Sequence, residues 1–119
     1  MSAGARARAA CLALPEATEK LAWGEPTFRA GGRMFAAFAS AATHHGAGRD
    51  ALWCRAPAGA QQALVEAAPA RFFVPPYVGK QGWIGIWLDQ ADDDELEFHV
   101  RQAYLEVAPA RCRAIIDGG

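Results

Sequence analysis

Residues 27–40 read TFRAGGRMFAAFAS, two runs rich in apolar residues on either side of Gly31-Gly32. Two consecutive glycines supply the positive φ angles that a two-residue hairpin turn requires. The stretch therefore predicts a β-hairpin with strands at Thr27–Ala30 and Arg33–Ser40. A sheet built outward from this hairpin is the starting point for the rest of the chain.

Alternation assigns the side chains of two predicted strands to opposite faces of the sheet. In the hairpin we expect Phe28 and Ala30 on one face, with Thr27 and Arg29 on the other. Farther along the chain, a predicted strand alternates between an aliphatic face and a face with two tryptophans: Ile84, Ile86 and Leu88 against Trp83, Gly85 and Trp87. Because glycine has no side chain, position 85 leaves space for another group to lie against this strand.

The remaining elements follow from periodicity and from the positions of proline and glycine. Helices are predicted over residues 3–14, 57–68 and 92–117; Pro15 and Pro69 end the first two, and Pro109 breaks or kinks the third. Further strands are predicted at Thr18–Trp23, Asp50–Arg55, Arg71–Val74 and Trp83–Leu88, with a turn at Gly24–Pro26 and a loop at 41–49. This order predicts an α+β fold in which helices cover one face of a mostly antiparallel sheet.

Length and composition predict one domain over residues 1–119. The chain has a mass of 12.7 kDa, 52% hydrophobic residues and 21% charged residues, which excludes a disordered chain. No apolar run approaches 18 residues, and Arg6 and Arg8 lie where a signal peptide would need its apolar stretch. We therefore expect a cytoplasmic protein that does not associate with membranes; the sequence does not predict its oligomeric state.

The residue patterns of common catalytic and metal sites are missing from the sequence. Neither Ser2 nor Ser40 stands in a Gly-x-Ser-x-Gly motif, and no Gly-x-Gly-x-x-Gly segment opens a helix. The adjacent His44 and His45 have no cysteine or carboxylate cluster near them to complete a metal site. Three widely spaced cysteines predict buried, reduced thiols. We expect no enzymatic activity, no metal and no cofactor, and we expect His99 to be a surface or packed residue of the last helix.

The charges are unevenly distributed along the chain. The net charge is −1, but six of the thirteen acidic residues lie between residues 89 and 97. The acids at 92–95 suit the positive end of a helix dipole. The rest of the chain carries twelve basic and seven acidic residues, so it could form a basic face that attracts a polyanion. An ordinary solvated surface with an acidic helix start is the alternative interpretation.

Several ordered motifs resemble the MmcQ/YjbR family over residues 5–115. They are CLALPEA at 11–17, the paired Phe28-Arg29 and Gly32–Ala36, FFVPPYVGKQGWIG at 72–85, and Ala103-Tyr104. The resemblance implies an α+β domain of the type compared with CyaY-like and secretion-chaperone-like folds. Members are described as candidate DNA-binding proteins with two projecting hairpins, called a double wing. Many members have a longer, more polar stretch before the tryptophan than the one at 77–82 here.

DNA binding is the first functional hypothesis. One wing would be the hairpin at Gly31-Gly32, and the other would be the loop at 75–82. Cationic side chains on such turns reach phosphates, and aromatic rings stack on exposed bases. The predicted nucleic-acid-binding residues are Arg29, Arg33, Tyr77, Lys80, Gln81 and Trp83. We expect weak binding dominated by phosphate contacts.

A binding module for a small molecule or a peptide is the alternative hypothesis. Trp83, Gly85 and Trp87, with the stiff Pro75-Pro76, would line an apolar groove on the sheet face that helices leave uncovered. Trp23 and Trp53 would join them if their strands are neighbours. Basic side chains clustered on this face would favour nucleic acid, whereas an apolar groove with a polar rim would favour a ligand.

Overall fold

A computed structural model of the protein describes residues 1–41 and 48–118. Within these residues one six-stranded sheet has the strand order β1-β2-β3-β4-β6-β5, and every neighbouring pair is antiparallel. The strands are β1 Thr18–Ala22, β2 Glu25–Ala30, β3 Arg33–Ala39, β4 Ala51–Cys54, β5 Phe72–Phe73 and β6 Ile84–Trp87. The helices are α1 Ala3–Leu12, α2 Ala60–Ala67, α3 Asp93–Leu105 and α4 Ala110–Gly118. The predicted α+β class with an antiparallel sheet is confirmed.

The hairpin predicted at Gly31-Gly32 is present between β2 and β3. Gly31 and Gly32 have φ angles of 60° and 79°, as a two-residue primed turn requires. The register pairs Phe28 with Ala36 but Arg29 with Met34, so β3 carries a bulge there. Phe28 is buried, while Arg29 lies on the opposite face, so the two faces are as predicted.

The first hairpin turn lies one residue earlier than the predicted turn at Gly24–Pro26. Trp23 and Gly24 have φ angles of 51° and 80° and form the two-residue turn between β1 and β2. Pro26 lies inside β2 opposite Leu21. The strand tolerates this proline because β3 pairs with β2 only from Thr27 onward, so no β2–β3 hydrogen bond is lost there.

Several other predicted boundaries were too wide. The first helix ends at Leu12 rather than residue 14, and α2 begins at Ala60 rather than Pro57. The break predicted at Pro109 is confirmed: the segment 92–117 forms two helices with Pro109 between them, because proline cannot continue an α-helix. Helical periodicity predicts that Ala63 and Leu64 face the core; Leu64 does so, but Ala63 is exposed. Most of the loop predicted at 41–49, including His44 and His45, lies outside the described residues.

The main core lies between the helices and one face of the sheet. It contains the aliphatic face predicted for β6, together with apolar residues of α3 and the turn after it: Ile84, Ile86, Leu88, Leu96, Val100, Ala103, Tyr104 and Val107. The Tyr104 ring meets the Phe35 ring edge-on at 5.6 Å, and its hydroxyl donates to the Pro15 carbonyl at 2.6 Å. Polar and apolar parts of Tyr104 are therefore both accommodated by this face.

Caps and ion pairs fix the helices to their neighbours. The Ser2 hydroxyl accepts from the Ala5 N–H, and the Asp92 carboxylate accepts from the Glu95 N–H, so α1 and α3 begin with capped turns. Among the described residues, ion pairs join five arginines to acidic partners: Arg6–Asp93, Arg8–Glu19, Arg49–Asp89, Arg71–Glu95 and Arg111–Glu16. The acidic run at 89–97 supplies three of these partners and the first turn of α3.

The three cysteines are buried thiols, as predicted. Burial raises the pKa of Cys54 to about 12 and also raises the pKa of Cys11 above its usual range. Such thiols are poor nucleophiles because the thiolate form is scarce at neutral pH. The longest helix described has 13 residues, and none of the described helices has the length and apolar character of a membrane span.

Candidate binding groove on the open sheet face

The sheet face turned away from the helices contains a groove. Directly paired residues share a face, and one such row crosses the sheet through Lys20, Thr27, Ala37, Trp53 and Gly85. The groove has a volume of about 370 Å³, which is within the range of small-molecule sites. Its lining is mainly aromatic and aliphatic, with a few charged groups: Trp23, Trp53, Tyr77, Trp83, Met34, Val78, Lys20, Glu25, Thr27 and Arg29 are among the lining residues.

Two tryptophans form the inner wall of the groove. Trp53 and Trp83 are only 7% and 2% exposed, and they belong to a second apolar cluster on this side of the sheet. The backbone of Trp83 is held by Gln61, whose side-chain amide donates to the Trp83 carbonyl at 2.6 Å. The buried indole N–H of Trp83 has no hydrogen-bond partner among residues 1–41 and 48–118. Buried indole N–H groups usually have a partner, so this donor is an exception at the base of the groove.

Two exposed aromatic side chains border the groove. Trp23 is 96% exposed and Tyr77 is 72% exposed. Both have positive φ angles, 51° and 66°, which cost a bulky residue roughly 1–3 kcal/mol. Trp23 belongs to the β1–β2 turn and Tyr77 to the connection between β5 and β6, so they approach the groove from opposite ends of the strand order.

Arginines gather at one end of the groove around Met34. Arg29 pairs with Met34 across the β2–β3 hairpin, and its buried Nε–H has no acceptor within the described part of the chain. Arg55 donates its Nε–H to the Met34 carbonyl at 2.8 Å, and its guanidinium lies 5.3 Å from the Trp83 ring centroid. Burial, followed by repulsion from Arg33, lowers the pKa of Arg55. The Glu106 carboxylate acts in the opposite direction, so Arg33 and Glu106 both lie within electrostatic range of Arg55.

The lining of the groove is more basic than acidic. Lys20 and Arg29 are the described basic residues that line it, and Glu25 is the described acidic one. The Glu25 carboxylate accepts a hydrogen bond from the Ser40 N–H at 3.3 Å. None of the five ion pairs described above includes Lys20, Arg29, Arg33 or Arg55. This end of the sheet therefore favours a negatively charged group.

The structure brings three of the six predicted site residues into the groove: Arg29, Tyr77 and Trp83. Arg33 is exposed on the neighbouring hairpin turn. Lys80 and Gln81 are exposed in a short 3₁₀ turn, Gly79–Gln81, and do not line the groove. Trp83 is too deeply buried to stack on an incoming base from outside.

The turns proposed as wings are held against the body of the protein. A Cβ atom added at Gly31 would lie 3.0 Å from Cγ of Pro109, so the hairpin turn rests on the α3–α4 connection. The turn Gly79–Gln81 is tied to α2, because the side-chain amide of Gln61 donates to the Gly79 carbonyl at 2.8 Å. Both contacts limit how far these turns can project.

For the tryptophan face of β6, the expected space at Gly85 is present, but Trp87 was wrongly expected to line the groove. The space expected at Gly85 is filled by the Phe73 ring, with which a Cβ atom at position 85 would collide. Trp87 does not line the groove: its ring stacks on the Phe73 ring at 4.2 Å, and the Arg49 guanidinium lies 4.1 Å from the Trp87 ring centroid. The chain's own Phe73 therefore covers the part of the strand that we expected to be open.

Sequence reasoning missed other groove residues, Lys20, Glu25, Thr27, Met34 and Val78. Strand alternation could have placed Lys20 and Met34 on this face once the register of β1 and the β3 bulge were known. Trp23 and Trp53 were expected to join the groove if their strands were neighbours, and both line it. The condition is met for Trp53, because β4 pairs with β6; Trp23 lines the groove although three strands separate β1 from β6.

A second cavity, of about 300 Å³, lies on the helix-covered side between α2 and α3. It is lined mainly by apolar groups together with Arg55, His99 and Gln102. The His99 ring makes edge contacts with Phe72 and Phe98, at centroid distances of 5.1 and 5.2 Å. Burial, and then the charge of Arg71, lowers the pKa of His99. His99 is thus a packed helix residue, one of the two places predicted for it.

These features define an α+β domain with helices on one face of an antiparallel sheet and an aromatic groove on the other. The sequence model of the YjbR family matches residues 12–106, and the chain belongs to this family. The crystal structure of Deinococcus radiodurans protein DR2400, with a DUF419 domain, is similar in fold, with a TM-score of 0.72 and 20% identity over 92% of this chain and 84% of that chain. No curated protein matches the sequence.

Proposed function

We propose that the protein is a non-enzymatic binding module whose groove on the open sheet face takes a small anionic ligand with an apolar body. The observation that carries this proposal is the pair of buried donors at the groove, Arg29 Nε–H and Trp83 Nε1–H, which lack acceptors among the described residues. A buried donor without a partner costs about 1–3 kcal/mol, which a ligand acceptor would recover on binding.

The residues that line the groove indicate a ligand with an apolar body and an anionic group. The Trp53 and Trp83 rings and the Met34 and Val78 side chains offer apolar contact area, which favours a hydrocarbon or ring system. The Arg29 guanidinium offers charge-assisted hydrogen bonds, which favour a carboxylate, sulfonate or phosphate group. A ligand with both parts would use the wall and the basic end together.

Isothermal titration with two simple anions tests this proposal. Naphthalene-2-sulfonate and octane-1-sulfonate both combine an apolar body with one negative charge. We expect at least one to bind with 1:1 stoichiometry, and we expect Arg29→Met to weaken that binding by about ten- to a hundredfold through loss of a charge-assisted bond. Arg101→Met, which removes an exposed guanidinium on α3, is the matched control and should bind like the wild type.

Failure of both anions to bind to the wild-type protein would overturn the proposal. Equal loss of affinity in Arg29→Met and Arg101→Met would also contradict it, because the effect would then come from net charge and not from the groove. Thermal unfolding of each variant, measured without ligand, separates a folding defect from a binding defect.

DNA binding is the second candidate function. It is favoured by Arg33 and Lys80, which are exposed and take part in none of the ion pairs described. Phosphate contacts by such side chains would bind DNA of any sequence, and about three to five of them would give a slope near −3 to −4 for log K against log salt. The concave, aromatic character of the groove fits a small ligand better than the convex surface of a duplex.

Gel retardation at low salt tests this candidate separately. If DNA is bound, Arg33→Ala and Lys80→Ala should each weaken binding to duplex and single-stranded DNA while the protein remains folded. Absence of retardation of either kind of DNA by the wild-type protein would exclude the candidate. This result would leave the proposal for the groove intact.

A further inference from the structure

Three non-glycine residues in the described part of the chain have positive φ angles: Glu16, Trp23 and Tyr77. Glu16 is held there by its neighbours, since its carboxylate accepts two hydrogen bonds from Arg111 and one from the Cys112 thiol. Trp23 and Tyr77 differ from Glu16 because both are exposed aromatic side chains and both line the groove. Positive φ angles at bulky residues cluster at ligand sites, and these two residues line the same groove.

The turn at Trp23-Gly24 would fold better with another first residue. A two-residue turn with positive φ at both positions favours asparagine, aspartate or glycine first, and Gly24 already supplies the second position. Tryptophan gains no burial there, because it is 96% exposed. The side chain is therefore unfavourable for the turn and unnecessary for the core, and its position on the groove is what distinguishes it.

The two aromatic side chains both line the groove, and they come from segments at opposite ends of the strand order. Trp23 comes from the β1–β2 turn at one edge of the sheet, and Tyr77 precedes β6 near the other edge. Aromatic side chains bind flat rings well, because stacking adds to area burial and two side-chain torsions are all that binding must order. The basic end at Arg29 lies on the same groove.

We infer that Trp23 and Tyr77 form a pair of stacking side chains that selects a ligand with a planar aromatic ring bearing an anionic group. This inference rests on the proposed function of the groove and adds the class of ligand. Trp23 and Tyr77 determine specificity for the ring, and Arg29 binds the anionic group. Ligands of equal charge with a flexible aliphatic body bind more weakly because they cannot stack.

Titration of the two sulfonates into three variants tests the inference. Trp23→Asn and Tyr77→Asn should each weaken naphthalene-2-sulfonate binding by about tenfold, the value expected for the loss of one stacking contact. The affinity for octane-1-sulfonate should change less than about threefold, because this ligand has no ring to stack. Leu21→Asn is the control: it removes another exposed apolar side chain from β1, on the opposite face of the strand, and should leave both affinities unchanged.

Thermal unfolding distinguishes a binding role of Trp23 from a structural one. If Trp23 stabilised the fold, its replacement would lower the unfolding temperature. Because asparagine suits positive φ better than tryptophan, Trp23→Asn should unfold at the same temperature as the wild type or higher while losing affinity. Trp23→Phe keeps a ring and should retain most of the affinity for naphthalene-2-sulfonate. It also provides a folded variant if the asparagine substitution destabilises the chain.

The outcomes separate this inference from the proposed function. The stacking inference would be overturned if octane-1-sulfonate bound as tightly as naphthalene-2-sulfonate and both depended on Arg29. The proposed function of the groove would then still hold. Unchanged affinity of Trp23→Asn and Tyr77→Asn for naphthalene-2-sulfonate would overturn it as well. Failure of the wild type to bind either sulfonate would contradict the proposed function first, and the inference with it.

Discussion

The two faces of the sheet treat aromatic and polar groups differently. On the helix-covered face, Tyr104 is fully buried, its ring meets Phe35, and its hydroxyl donates to Pro15. On the open face, Trp83 is almost as deeply buried, but its indole N–H has no partner among the described residues, and Trp23 is left exposed in a strained turn. On the helix-covered face, the protein itself supplies the partners of Tyr104. On the open face, we propose that a ligand supplies the missing acceptor and covers the exposed ring.

The largest expected effect contrasts one core residue from each face. Ile86 is 1% exposed in the helix-side core, whereas Met34 is half-buried at the groove. Ile86→Ala should lower the free energy of unfolding by about 2–5 kcal/mol, because it removes buried methyl groups and leaves a cavity. Met34→Ala should cost about 1 kcal/mol or less, because its surroundings are already open to water. Urea denaturation of both variants gives the comparison.

An equal cost for Ile86→Ala and Met34→Ala would contradict the difference between the faces. It would mean that the open face is a second closed core and that the groove is not maintained for a ligand. The denaturant m-values serve as the control: similar values show that both variants expose the same amount of surface on unfolding.

The next effect tests the part of the open face that the chain covers by itself. Gly85→Ala should lower the free energy of unfolding by about 1–3 kcal/mol, because the new Cβ forces the Phe73 ring away from Trp87. Gly4→Ala is the matched control on the helix side: its Cβ would meet Phe38 at an ordinary 3.6 Å, and alanine favours the α1 helix. Thermal denaturation should show one variant less stable and the other equally or more stable. Equal stability of Gly85→Ala and the wild type would show that Phe73 does not need its place above β6.

A smaller effect tests the hydrogen bond of Tyr104. Tyr104→Phe should lower the free energy of unfolding by about 1 kcal/mol, because the Pro15 carbonyl loses its donor while the ring packing is kept. Tyr77→Phe on the open face should change stability by less than about 0.5 kcal/mol, because that side chain is exposed. The two variants are compared by urea denaturation. A larger loss of unfolding free energy for Tyr77→Phe than for Tyr104→Phe would contradict this account, in which Tyr104 stabilises the fold and Tyr77 does not.

The smallest effect is the dependence of stability on acidic pH. Ion pairs with Arg111, Arg8 and Arg49 hold the pKa values of Glu16, Glu19 and Asp89 below their usual ranges. The stability from these depressed pKa values is fully present above the unfolded pKa values, near 4.5 and 3.8, and is lost as pH falls through the folded ones.

Thermal unfolding between pH 7 and pH 3 measures this effect. The melting temperature should fall with decreasing pH, and the fall should be shallower in Glu16→Gln, which has already lost its ion pair with Arg111. High salt should reduce the difference between the two proteins, because the pair is exposed. A melting temperature independent of pH over this range would contradict the assignment.

Local sequence signals predicted most of the fold. The Gly31-Gly32 turn, the alternating faces of β6 and the stripe of α3 each follow from short-range periodicity, and all three are present. The first turn was misplaced because Pro26 is a stronger turn signal than Trp23, and only the β1–β2 register shows that tryptophan occupies a position suited to asparagine.

The site was predicted only in part, because it depends on contacts between distant segments. The filling of the space at Gly85 by Phe73 follows from the pairing of β5 with β6, which no local pattern encodes. The same holds for the gathering of Arg29, Arg33 and Arg55 near Met34, since Arg29 lies on β2, Arg33 on β3 and Arg55 directly after β4. Composition predicted a basic and aromatic surface without placing its members.

The most direct test of the groove is a ¹H–¹⁵N spectrum of the four tryptophan indole N–H groups during titration with naphthalene-2-sulfonate. Substitution of each tryptophan by phenylalanine assigns the four signals. We predict saturable shifts of the Trp23, Trp53 and Trp83 signals, with the Trp87 signal little changed because Phe73 and Arg49 cover its ring. Unchanged Trp53 and Trp83 signals at saturating ligand, or shifts confined to backbone amides of α2 and α3, would contradict the account.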